Sequence, residues 1–335
     1  MEWIRLPSRQ TIWIIVCIGI ILGGSACVVY ANRLASNSKS TPSSIGGLRS
    51  EMLLSIKKQG GVKAYAVFKD EYAGKSFDEQ HNAAHLFGEM LFEGEGLKGL
   101  TVCDSDLNFG CYHGYLSKAI SKEGLNVISK LDNVCATAEG IAPTACQHGI
   151  GHGIVEYMGH AHLSEALLAC DKTNQPNPLA GCTSGVFMEY NVPLNVLPNN
   201  MLATAPRELS DRSKPYDVCP TLDQRFQSSC YHELPQWWLQ VYSDDFKVLA
   251  SLCDEAPEDL YKNACFGGIS QIVASTAGYE VEKTKEFCSL MPTEHRRNEC
   301  LYAGAKAFSF NIGDTKHAEE LCNVLPDTMK ERCLN

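Results

Sequence analysis

Beyond residue 48, apolar residues recur at helical spacing in short blocks separated by polar turns, and the blocks repeat. "FKVLASLCDEAPEDLYKNACFGGISQIVAS", "KTKEFCSLMPTEHRRNECLYAGAKAF" and "HAEELCNVLPDTMKERC" share one plan. An apolar-periodic helix ends at a cysteine, a polar turn often holding proline follows, and a second helix opens at a second cysteine. The pattern predicts helical hairpins throughout.

The cysteines mark the period. Fourteen of them fall into seven close pairs: 103/111, 135/146, 170/182, 219/230, 253/265, 288/300 and 322/333. The second members step by 35, 36, 48, 35, 35 and 33 residues, the period of a two-helix repeat. This predicts an all-α fold, an α-solenoid of about seven to eight helical hairpins, each later hairpin stapled by a disulfide. In period and cysteine placement the chain resembles helical-hairpin solenoids such as Sel1-like and tetratricopeptide proteins, without their internal consensus. Closing a loop of about twelve residues stabilises a hairpin by roughly 3 kcal/mol in the chain-entropy model. Zinc binding by the cysteines is the weaker expectation, because no C-x-x-C occurs. Pairing swapped between neighbouring units stays open at this level.

The N-terminus adds a different pattern. "TIWIIVCIGIILGGSACVVY", residues 11–30, is twenty residues without a charge, preceded by Arg5 and Arg9. That length suits a transmembrane helix, and a cleaved signal peptide is the competing reading. A lipid attached at Cys27 is disfavoured by Gly24, where such motifs want leucine. The expected organisation is a cytoplasmic N-terminus (1–10), a signal anchor (11–30), a Ser-rich flexible linker (31–47) and an extracytoplasmic, cysteine-rich repeat domain (48–335). A formal net charge of -10, with no cluster of Lys and Arg, argues against a nucleic-acid partner.

Candidate chemistry appears once positions are counted from each second cysteine. Two residues on lie His113, His148, Ser184 and His232; six residues on lie Ser117, His152, Met188 and Gln236. The two offsets are one helical turn apart and share a face. Upstream, "SFDEQHNAAHLFGEM" has no cysteine, and starting its helix at Glu79 aligns His81 and His85 with His148 and His152. The motif H-x-x-x-H-x-x-x-E then occurs twice in phase, ending at Glu89 and Glu156. Gly114, Gly149, Gly185 and Gly268 share offset three, where the lack of a side chain lets helices approach closely.

In a solenoid these helices lie side by side. His81, His85, His113, His148, His152 and His232 are therefore candidate ligands of a transition metal ion (zinc, copper or iron), with Glu89 and Glu156 as candidate catalytic acid or base. Glu189 and Glu233 are secondary candidates. Trp237 and Trp238 are expected to line a pocket or pack internally. The long step between units predicts an inserted loop at 192–217, read either as a lid beside the site or as a plain surface loop.

No P-loop, G-x-S-x-G or C-x-x-C-H occurs, so nucleotide, serine-hydrolase and c-type haem chemistry are set aside. The expected function is a membrane-anchored extracytoplasmic metalloprotein acting on its concave face. The alternative is a non-catalytic scaffold binding a protein, peptide or envelope glycan there.

Overall fold

In the computed structural model the described residues are 45–137, 143–174, 179–191 and 212–334. Residues 11–30 and most of the expected linker lie outside them, as does 192–211 of the expected inserted loop. Among the described residues no helix is long and apolar enough to cross a membrane.

The described residues form fifteen α-helices and no strand. They are α1 (Ile45–Gln59), α2 (Gly61–Tyr72), α3 (Phe77–Glu95), α4 (Gly110–Glu123), α5 (Ile128–Thr137), α6 (Pro143–Met158), α7 (Leu163–Ala169), α8 (Cys182–Asn191), α9 (Gln224–Tyr242), α10 (Phe246–Asp254), α11 (Asp259–Thr276), α12 (Val281–Ser289), α13 (Glu294–Ile312), α14 (Thr315–Cys322) and α15 (Asp327–Leu334). From Arg49 onward they pack as one compact unit.

All seven cysteine pairs are disulfides within their own units, with Cα–Cα separations from 5.4 to 5.7 Å. Such a set points to an extracytoplasmic or secreted domain. Two details depart from the hairpin plan. The second cysteine usually lies inside its helix, because side-chain caps start the helix earlier: Asp223 accepts from the Arg225 N–H and Thr293 from the Arg296 N–H. The arm before Cys111 is not an α-helix but two 3₁₀ turns, Gly96–Val102 and Asp106–Phe109. Only residues 96–102 lie between the end of α3 at Glu95 and Cys103, too short a run for a connecting turn and an antiparallel α-helix.

The second helices of successive units pack against one another in chain order: α3 on α4, α4 on α6, α6 on α8, α8 on α9, α9 on α11 and α11 on α13. Glycines set their spacing. A methyl group on Gly114 would overlap the His85 carbonyl oxygen, one on Gly185 that of His148, and one on Gly268 that of His232. Gly149 differs, facing the Leu116 side chain instead.

These contacts fix the alignment of α3. If Gly114, Gly185 and Gly268 occupy one phase, so do the residues beneath them: His85, His148 and His232. Likewise Gly88 lies on the Cys111 carbonyl as Gly151 lies on that of Cys182. The helix caps agree: Asp223, Glu258 and Thr293 lie seven residues before Cys230, Cys265 and Cys300, and Ser76 lies seven before Ala83. Ala83 therefore marks offset zero, one turn later than Glu79. His85 matches His148, Glu89 matches His152, and the two H-x-x-x-H-x-x-x-E motifs are out of phase by a turn.

One further contact joins distant parts of the chain. Near the end of α13, Phe310 packs on Phe109 of the 3₁₀ turn before α4, ring centroids 5.7 Å apart.

Candidate metal centre

Five histidines from three adjacent helices converge. His81, His85 and His113 each offer a ring nitrogen within 4.8 Å of the others, and so do His113, His148 and His152. The groups share His113 on α4, placed between the His81/His85 pair on α3 and the His148/His152 pair on α6. Ring centroids lie 5.3 Å apart for His85 and His113, and 4.9 Å for His113 and His152. Two nitrogens on one tetrahedral ion sit about 3.3 Å apart, from metal–nitrogen bonds of about 2.0–2.1 Å. His81 Nε2 and His85 Nε2 are already at 3.1 Å.

Burial keeps the His113, His148 and His152 rings neutral, the form that binds metal. His113 is held well below the usual histidine range by burial and by the surrounding His152, His85, His81 and His148. His148 is lowered to about 3 by burial and by His152, against the opposing pull of Glu233. His152 is also lowered to about 3, chiefly by burial, although Glu233 acts in the opposite sense.

Hydrogen bonds to the outer atoms orient the rings. His81 Nδ1 donates to the Leu107 carbonyl at 3.1 Å, since a carbonyl can only accept, and its Nε2 accepts from His85 Nε2 at 3.1 Å. His152 Nδ1 donates to Glu189 Oε2 at 3.0 Å, and its buried Nε2 has no hydrogen-bond partner. His113 Nδ1 is likewise buried without one. The Glu189–His152 pair has the form of the carboxylate–histidine arrangement that orients metal ligands.

His148 is oriented through a relay. Glu233 on α9 is fully buried and accepts from Ser184 Oγ at 2.6 Å, from Gln236 Nε2 at 2.5 Å and from His232 Nδ1 at 3.0 Å. Burial opposes its ionisation, but the His232 hydrogen bond and charge, with His148 and Ser184, hold its pKa below the ordinary carboxylate value. Ser184 has a single proton and gives it to this carboxylate. Its oxygen therefore accepts from His148 Nδ1, 3.2 Å away. His148 Nε2 is left without a proton and faces Met188 Sδ at 3.2 Å.

The remaining candidates divide. His232 is outside both groups, held by Glu233. Glu89 pairs with Arg49 at 2.6 Å, and its pKa is raised because burial outweighs the pull of Arg49 and Lys118. Glu156 is pushed up to about 8 by burial and by the nearby Glu189 charge, which favours its protonated form. Trp237 and Trp238 are buried packing residues, and Trp238 Nε1 donates to the Pro215 carbonyl at 2.8 Å. His160, in the 3₁₀ turn after α6, is buried with Nε2 at 3.1 Å from the Glu189 carbonyl.

Ser184 and Met188 were not recognised as site residues from sequence. The available signal was positional: they occupy on α8 the two offsets that hold His148 and His152 on α6.

Neither a protein-family model, nor a curated protein, nor a solved structure matches this chain. Its chemistry rests on these residues.

Proposed function

We propose that this chain is a membrane-tethered, extracytoplasmic metal-binding protein of the helical-repeat solenoid type, and that its histidine centre serves a metalloenzyme. The tether is residues 11–30, and the seven disulfides support the compartment. In this reading the row of hairpins curves far enough to bring α13 back to the turn before α4.

One observation carries the metal reading. In the His113, His148 and His152 group, three neutral imidazoles hold ring nitrogens that carry no proton or meet no hydrogen-bond partner, those of His113 and His152 buried. Such atoms are costly to bury unless something satisfies them. Three lone-pair donors within 4.8 Å suit a transition ion, and His81 and His85 extend the donor set around the shared ring. A bound ion supplies Lewis acidity or electron transfer. The chain's own contribution is orientation by Glu189, Ser184 and Glu233, and a proton held on Glu156, one turn along α6 from His152. His81 and His148 are only partly buried, which leaves the site an edge open to small molecules.

The test is elemental analysis of the full-length protein, purified with its disulfides intact and without a polyhistidine tag. A stoichiometric transition metal, lost in a His113→Ala/His148→Ala variant of unchanged helicity, is expected. Protein that stays metal-free after exposure to zinc, copper and iron overturns the reading and favours a binding scaffold.

A further inference from the structure

We propose that the His113, His148 and His152 group is a copper(I) site completed by the thioether of Met188. This rests on the metal reading above and names the ion.

The argument begins with the proton count around His148. The Ser184 hydroxyl is committed to the buried Glu233 carboxylate at 2.6 Å, a charge-assisted bond much shorter than its 3.2 Å contact with His148 Nδ1. Nδ1 is therefore the protonated nitrogen, and Nε2 presents a lone pair to Met188 Sδ at 3.2 Å. A thioether has no proton to give. Two lone-pair atoms thus face each other in a largely buried site with no hydrogen between them. That arrangement is satisfied by a cation bound to both.

Position along the fold agrees. Met188 takes the place on α8 that His152 takes on α6, six residues beyond the second cysteine, so the sulfur belongs to the same stripe as the histidines. The donor set then selects the ion. Structural and catalytic zinc sites are built from thiolate, imidazole and carboxylate; a thioether is a soft, uncharged donor that suits copper(I). Three neutral imidazoles and a thioether also bring no anionic ligand, which fits a monovalent ion better than a divalent one. The carboxylates Glu189 and Glu233 stand one bond further out, behind His152 and Ser184.

The experiment uses the full-length, disulfide-intact, metal-free protein under anaerobic conditions. Copper(I) is titrated against a chromophoric copper(I) chelator, zinc is titrated separately, and the copper form is examined by X-ray absorption. The expected result is a sulfur neighbour on copper in the wild type that is absent in Met188→Leu. That variant is also expected to bind copper(I) about tenfold or more weakly, while its zinc affinity is little changed. A copper spectrum with nitrogen neighbours alone overturns the proposal without any variant, and so does an unchanged copper(I) affinity in a folded Met188→Leu. Protein that takes up zinc but not copper(I) overturns the proposal and leaves the metal reading standing. Protein that binds neither overturns both.

Discussion

Adjacent glycines on α11 should respond to the same substitution with opposite signs. At Gly267 an added methyl would come no closer than 3.4 Å to His232 Cδ2, an ordinary contact with a side-chain edge. Alanine there gains helix propensity of about 0.8–1 kcal/mol and loses little. At Gly268 the methyl would land on the His232 carbonyl oxygen, with the Pro235 ring 3.2 Å away. Neither neighbour is a flexible side-chain tip, so α11 must move off α9. Overpacking typically costs about 1–3 kcal/mol and can cost more where backbone must shift, which exceeds the propensity gain. Gly267→Ala should therefore be neutral or stabilising by up to about 1 kcal/mol, and Gly268→Ala destabilising by about 2 kcal/mol. Guanidinium unfolding with the disulfides intact, following helicity, measures both. Equal shifts, or a Gly268→Ala protein as stable as wild type, would mean that the helices are not in backbone contact. The alignment of His85 with His148 would then lose its basis.

Three other outcomes follow from named groups. Glu156 has a folded pKa of about 8 against an ordinary 4.5, so the folded state binds more protons between those values. Stability should fall as pH rises from about 4.5 to 8 and level off above, by a few kcal/mol at most; Glu156→Gln should flatten that part of the stability–pH curve, and an unchanged curve refutes the assignment. Ser184→Ala removes the acceptor that fixes the proton on His148 Nδ1. Metal affinity should fall about 10- to 100-fold in equilibrium titration while the disulfide map stays unchanged. Replacing Cys253 and Cys265 together by serine reopens one hairpin loop and should lower unfolding stability by about 3 kcal/mol, measured by denaturant titration; no loss would show that the staple is dispensable.

Different parts of the molecule were legible to different degrees. The close spacing of the cysteines pointed to partners within each unit, and the structure removes the swapped pairing between neighbouring units that spacing left open. The histidine stripe could be read because i,i+4 residues share a helix face. The phase of α3 could not be read from its histidines, since an H-x-x-x-H pattern looks the same after a shift of one turn. The helix start did carry the information: Ser76 and Glu79 form a capping box, which places offset zero at Ala83. The roles of Ser184 and Met188 were hidden for another reason. Their partners His148 and Glu233 lie 36 to 49 residues away, and no local pattern encodes which rotamers meet across helices.

The contact between Phe310 and Phe109 bears on how the molecule comes apart. A linear array of repeats has two free ends, and its terminal units, with one neighbour each, are the first to peel away. Joining α13 to the turn before α4 gives members near both ends of the row an additional neighbour. Fraying from either side must then break a contact between residues about two hundred positions apart in the chain. Unfolding is thereby pushed from progressive unzipping toward a single concerted event, and amide protons in α4 and α13 should exchange nearly as slowly as those in α8.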